Sequence, residues 1–227
     1  MTHRVTATII LMTAMLMDLM DSTITNVALP AISTDLGATP AQLEWTLVGY
    51  VVAFATLLIT GGRLGDIYGR KRVFLVGVIG FTCASVFASL AWSGNALITA
   101  RIIQGAFAGV MVPQVLSSVQ VMYAPEERGP VFGIIGSLNA LGVITGLLLG
   151  GWLVTANLFG TGWRSIFLVN VPVGVVLTVM AFLCIPESRS EHPLRLDLTG
   201  SALGATAVVL LVLPLTEGRA AGWAWWI

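Results

Sequence analysis

The sequence predicts an all-α, polytopic helical membrane protein, and three observations carry that prediction. Of 227 residues, 56% are hydrophobic and only 10% are charged, whereas a soluble domain carries about 25% charged residues. The charges are bunched, leaving apolar runs of about 20 residues, the length that crosses a hydrocarbon core. Between two such runs, the segment 61–72, GGRLGDIYGRKR, packs four basic residues, one acid and four glycines, the pattern of a short cytoplasmic loop between membrane helices. This composition excludes an ordinary soluble enzyme and excludes disorder. The net charge is zero, so nothing points to nucleic acid.

Seven segments are long and apolar enough to span. The first, 5–28, carries Asp18 and Asp21 and is ended by Pro30. Arg4 ahead of it suggests a signal peptide, but no small-x-small cleavage site follows, so it reads as a retained helix. A polar loop through Asp35, Pro40 and Glu44 leads to the second, 45–60. The basic turn 61–72 leads to the third, 73–92, which has no charge. Ser93-Gly94-Asn95 is a tight turn before the fourth, 96–121, which is interrupted by Arg101. The loop 125–128 precedes the fifth, 129–153; the sixth is 165–185. A charged connector, 186–197, leads to the seventh, 198–215. The ten-residue alternating segments of a membrane barrel are missing. Short connections predict that consecutive helices are neighbours. Cys83 and Cys184 sit in apolar runs without metal-ligand spacing and read as buried small hydrophobes. No metal or cofactor is expected.

Lysine and arginine counts set the orientation. With the N-terminus inside, the inner segments hold Arg4, Arg63, Arg70, Lys71, Arg72, Arg128, Arg189 and Arg195, against Arg164 and Arg219 outside. The N-terminus is therefore expected in the cytoplasm of a multi-pass protein of the cell membrane. Trp45, Trp92, Trp152, Trp163, Trp223, Trp225 and Trp226 then all fall near the outer interface, as an aromatic belt.

A charge near the bilayer centre costs about 2.5–3.5 kcal/mol on insertion scales and faces the bundle interior or a watery cavity. Asp18, Asp21 and Arg101 incur such a cost. Asp21 lies seven residues from the outer end of the first helix and Arg101 six from the outer end of the fourth. At 1.5 Å rise per residue, both lie roughly 10 Å below the outer boundary. They are at a depth to pair or to share a water-filled cavity. The alternative is separate satisfaction by backbone carbonyls, Asn26 or Gln104. Asp18, at i, i+3 from Asp21, shares its helix face.

Gly62-x-x-x-Asp66-x-x-Gly69-Arg70-Lys71 resembles the loop between the second and third helices of the major facilitator superfamily. Asp21-Ser-Thr-Ile-Thr-Asn26-Val-Ala-Leu-Pro30 resembles the first-helix signature of its fourteen-helix drug:proton antiporters. Arg101-Ile-Ile-Gln104-Gly105 resembles the fourth-helix signature, whose arginine is implicated in proton transfer. Gly142, Gly146, Gly150 and Gly151 resemble the fifth-helix antiporter signature, except that Leu147 stands where that signature has proline. Glycines four apart also suit generic close helix packing. The stretch 163–174 resembles the start of the sixth helix. Leu196-Asp197-Leu-Thr-Gly200, with Glu217-Gly218 and Gly222-Trp223, resembles the extra seventh segment that separates fourteen-helix from twelve-helix members.

The resemblance implies an N-terminal six-helix bundle over 1–196 and a seventh helix over 197–227. It implies that Asp21 and Arg101 belong to the coupling machinery, with Gln104, Asp18 and Asn26 beside them. A carboxylate in such a place has its proton affinity raised by desolvation and lowered by a neighbouring cation, and a balance of the two lets a proton come and go. Asp66 and Arg70 are implied to hold the two halves of a transporter together on the cytoplasmic side. The family architecture has a second bundle, and the chain reads as stopping before it. Two hypotheses follow. One is proton-coupled export of hydrophobic or cationic small molecules, as a transporter's N-terminal half, paired with a second half or with itself. The other is a non-transporting remnant or helper subunit. No nucleophile-base pair argues for catalysis.

Overall fold

The computed structural model describes residues 2–190 and 197–217. Arg195 and Arg219 of the charge tally, and Trp223, Trp225, Trp226, Leu196, Gly218 and Gly222, lie outside the described residues. The chain forms α1 (Thr2–Leu36), α2 (Pro40–Tyr68), α3 (Arg70–Ser89), α4 (Gly94–Met122), α5 (Pro125–Ala156), α6 (Ser165–Leu168), α7 (Asn170–Cys184) and α8 (Leu198–Glu217). The short α6 and the longer α7 together make the sixth span, Gly162–Cys184. Among the described residues, six helices are long and apolar enough to cross a membrane, and α8 is a further helix.

Several helices run longer than the apolar runs suggest. Pro30 does not end α1, which continues to Leu36. Proline removes one backbone hydrogen bond, and packing from neighbouring helices makes that loss tolerable. Ala28 and Ile32, on either side of it, are fully buried in a cluster with Leu153, Trp163 and Phe167. The first connection, 37–39, is short because Thr39 caps α2: its hydroxyl accepts from Gln42 N at 3.3 Å, while Gln42 Oε1 accepts from Thr39 N at 3.0 Å. Pro125 to Arg128 is not a loop but the first turn of α5, where proline at the first position and two acids suit a helix N-terminus.

The basic turn contracts most. Residues 61–68 are helical, and the corner between α2 and α3 is the single residue Gly69, at φ 105° and ψ 131°. An L side chain avoids that region, and a Cβ there would stand 2.5–3.0 Å from the Glu187 carboxylate. Gly69→Val is expected to cost on the order of 1–3 kcal/mol and to lower the thermal unfolding midpoint. An unchanged midpoint would show that the corner tolerates a side chain.

Helix partners follow small residues, not chain order. α2 packs most extensively on α4 and α1 on α5, whereas α1 touches α2 only slightly and α4 touches α5 only slightly. Of the consecutive pairs, α3 and α4 pack extensively. At Gly109 of α4 a Cβ would come 2.5 Å from the Phe54 carbonyl oxygen, and at Gly61 of α2 it would come 2.5 Å from the Gly109 carbonyl oxygen. Backbones therefore touch where side chains are absent. α4 ends up between α2 and α3, and α7 packs on α3 and α1. The main core joins Leu11, Ala14 and Met17 of α1 to Phe74, Val78 and Phe81 of α3 and to Met111 and Val115 of α4. α8 lies against α2.

The two ends of the bundle differ. At one end Arg4 pairs with Glu127 at 2.8 Å, and the segment after α7 folds back on the Gly69 corner. At the other end Asp35 accepts from Arg164 Nη1 at 2.6 Å and from Trp163 Nε1 at 3.0 Å. Trp92 and Trp152 are exposed, as a belt requires, but Trp163 is buried, because its indole fills the space beneath α1 while its N–H reaches Asp35. Both cysteines are free; Cys83 is exposed on the outer face of α3 and not buried, because α3 turns its glycines and phenylalanines inward.

Candidate functional site

Five helices meet at a buried polar cluster. Asp21 on α1 and Arg101 on α4 are each 1% exposed. Arg101 Nη1 donates to Asp21 Oδ2, forming a direct ion pair inside the bundle. The same nitrogen donates to Gln104 Oε1 at 2.6 Å, and Arg101 Nε donates to the Thr46 carbonyl of α2 at 3.4 Å. Gln104 Nε2, one turn along α4, donates to Asp21 Oδ1 at 2.9 Å. Asn170 Nδ2, at the start of α7, donates to the same oxygen at 2.6 Å. Ser85 Oγ on α3 accepts from Gln104 at 2.9 Å and faces Asn170 at 3.4 Å.

Asp21 thus receives three donors, one of them charged. The Arg101 guanidinium also lies 4.1 Å from the centre of the Tyr50 ring and 5.7 Å from that of Phe167. Both rings present their negative faces to it. Tyr50 OH in turn donates to Asp18 Oδ1. Asp18, Tyr50, Arg101 and Asp21 therefore form one connected chain of contacts across α1, α2 and α4.

The two charges expected at one depth are in direct contact, and Gln104 joins them. Asn26 does not: it is exposed, and its Nδ2 donates to the Ser22 carbonyl one turn back at 3.0 Å. It lies five residues beyond Asp21, and that spacing turns it to another face. Tyr50, Ser85 and Asn170 were not singled out from the sequence. A hydroxyl or amide inside an apolar run is the signal for Ser85 and Asn170, but it is a common one.

Gly142, Gly146 and Gly150 of α5 face α1. A Cβ on Gly142 would lie 2.9 Å from Leu19 Cβ, one on Gly146 would run into Thr23, and one on Gly150 would lie 2.9 Å from Ile24 Cγ1. Gly151 differs: nothing lies within 4 Å of the place its Cβ would take, because it is on the next face of the helix. Leu147 is likewise exposed.

Around the Gly69 corner, Arg70 Nη2 donates to Asp66 Oδ1 at 2.5 Å. The connector after α7 then pairs with this corner. Arg70 N donates to the Ser188 carbonyl at 2.8 Å and Ser190 N to the Asp66 carbonyl at 3.2 Å. Lys71 N donates to Glu187 Oε1 at 3.1 Å, and Lys71 Nζ caps the Phe182 carbonyl at 2.7 Å. Gly62 sits 3.6 Å, from its would-be Cβ, from Pro113 of α4. Among the described residues, Arg70 Nε is buried without a hydrogen-bond acceptor.

A family model described as Major Facilitator Superfamily matches residues 11–227. The chain belongs to the major facilitator superfamily. Superfamily members are transporters rather than enzymes, and this one is a multi-pass membrane protein. The probable actinorhodin transporter of Streptomyces coelicolor is 46% identical over 217 residues, which make up 96% of this chain and 38% of that protein. The cephamycin export protein of Amycolatopsis lactamdurans is 39% identical over 221 residues, covering 96% of this chain and 45% of that protein. The chain spans about two-fifths of the length of the curated relatives it matches. Among solved structures, a proton:xylose symporter of the superfamily, bound to 6-bromo-6-deoxy-D-glucose, matches 97% of this chain and 55% of its own at a TM-score of 0.70. At 17% identity it speaks to the fold alone.

Proposed function

We propose that this superfamily member forms the N-terminal half of a proton-coupled exporter of hydrophobic or cationic small molecules, with the N-terminus in the cytoplasm of the cell membrane. Residues 1–196 form one six-helix bundle in this reading, and residues 197–227 begin the helices that precede a second bundle. The observation that carries the reading is the Asp21–Arg101 pair, sealed with Gln104 and Asn170 among apolar helices. Two ions in such a place are costly to desolvate and add little net stability, so a coupling role accounts for them better than a structural one. The relatives' names, a probable actinorhodin transporter and a cephamycin export protein, support export of small molecules.

Orientation rests on the charge asymmetry. Arg4, Arg63, Arg70, Lys71, Arg72, Arg128 and Arg189 lie at one end of the bundle, and Arg164 lies at the other. The basic end faces the cytoplasm under the positive-inside rule. There Asp66, Arg70 and Lys71 stiffen the α2–α3 corner. In this reading Asp66 and Arg70 also contribute to the contacts that hold the second half, or a second copy, on the cytoplasmic side. Alternating access needs one bundle to rock against another. α2 and α5, whose apolar stretches are mostly not buried, leave faces for such a partner or for lipid.

The test is efflux of a hydrophobic cationic dye from cells producing the chain, alone and together with the second half of a relative. The expected result is reduced dye accumulation that a protonophore restores. A folded, membrane-inserted chain with no gradient-dependent efflux in either setting would leave the helper-subunit reading in its place.

A further inference from the structure

The bundle interior holds two carboxylates in unequal surroundings. Asp21 is 1% exposed and takes three donors, including the Arg101 guanidinium. Asp18 is 7% exposed, and among the described residues its side chain takes one hydrogen bond, from the neutral Tyr50 hydroxyl. The charged and titratable groups that face Asp18 are Tyr50 from α2, Asp21 from its own helix and Arg101 from α4. α5 carries its charges only in its first turn, and α7 carries none. Arg101 is already paired, in direct contact with Asp21 and not with Asp18.

An ionised carboxylate taken from water needs several donors or a cation of its own. Asp21 has them and Asp18 does not. Asp18 is also the more exposed of the two, at 7% against 1%. On the exporter reading, we propose that the two carboxylates divide the work. Asp21 stays ionised as the fixed counter-ion of Arg101. Asp18 binds and releases the coupled proton, with Tyr50 as its positioning residue.

The proton balance is simple. A proton from water joins a carboxylate oxygen of Asp18. The new acid O–H donates to the Tyr50 oxygen, and the phenol turns its own proton away. The Tyr50 ring lies 4.1 Å from the Arg101 guanidinium, so the rearrangement takes place one contact away from the ion pair. Loss of the proton reverses it, and Tyr50 again donates to Asp18.

Infrared difference titration of the chain in lipid nanodiscs reads this without any transport, so its failure is distinct from a failure of the exporter reading. The protonated carboxyl has a carbonyl stretch that the carboxylate lacks. The chain has 11 Asp and Glu residues, so the wild-type spectrum minus that of Asp18→Asn isolates one of them. Expected is a carboxyl band that grows as pH falls, vanishes in Asp18→Asn and persists in Asp21→Asn. Tyr50→Phe keeps a ring on Arg101 but removes the hydrogen-bond partner, and it is expected to move both the frequency and the midpoint of that band. A titrating buried band that survives in Asp18→Asn, or one lost only in Asp21→Asn, overturns the proposal. So does the lack of any titrating band that Asp18→Asn removes. Asp18→Asn and Tyr50→Phe leave the ion pair in place, so the test stands even where Asp21→Asn does not fold.

Discussion

Arg101→Met is expected to destabilise the bundle by about 3–5 kcal/mol and to abolish coupled efflux. The substitution leaves the Asp21 carboxylate buried and without its cation, which is the costly way to break a buried pair. Asp21→Asn strands the Arg101 cation in its turn and is expected to cost a similar amount, although an amide oxygen still accepts from Gln104 Nε2 and Asn170 Nδ2. The double variant, Asp21→Asn with Arg101→Met, is expected to recover part of the loss, since no unpaired charge remains. Thermal unfolding of the four proteins in the same detergent completes the cycle. Strictly additive losses would mean that the two charges are not coupled and that the site is misread. Efflux is expected to stay absent in the double variant even as stability returns. That separates a structural role for the pair from a working one.

Gly105→Ala is expected to destabilise by about 1–3 kcal/mol, the usual cost of overpacking a tight interface, although alanine is the better helix former. A Cβ at Gly105 would run into the Tyr50 carbonyl oxygen and stand 2.9 Å from Tyr50 C and Cα. Backbone cannot swing aside as a side chain can, so α2 must move off α4. That shift carries Tyr50 away from Arg101 and from Asp18, and Thr46 away from Arg101 Nε. Activity is therefore expected to fall with stability. Gly151→Ala is the control: its new methyl meets nothing within 4 Å, and it is expected to be neutral or to stabilise by roughly 0.5–1 kcal/mol. Equal melting midpoints for the two variants would refute the backbone-contact account of the α2–α4 interface.

Membrane helices can be read from sequence because lipid offers the backbone no partners, so each span must satisfy itself over a fixed thickness. That constraint is local, and it located every span here to within a few turns. The ends were less legible. Pro30 and the 61–68 stretch look like breaks, yet both are helical, since buried neighbours at Ala28 and Ile32 and close contacts at Gly61 and Gly65 hold them in the helix. The charges at Asp18, Asp21 and Arg101 were legible because a charge among apolar residues needs a reason. Their hydrogen-bonding company was not. Ser85 and Asn170 differ in no local way from the many hydroxyls and amides that bond their own helix, as Asn26 does.

By itself the sequence determined that this is a helical membrane protein of the major facilitator superfamily, where its spans lie, and which charges lie inside them. Span length, burial of charge and motif spacing are all written along the chain. Only the tertiary structure decided that α1 seeks α5 and α2 seeks α4, and that Asp21 and Arg101 close on each other while Asp18 is left to Tyr50. Those outcomes depend on which helix faces meet. Faces meet where small residues let backbones come close, and that is a property of pairs of helices that no single stretch contains.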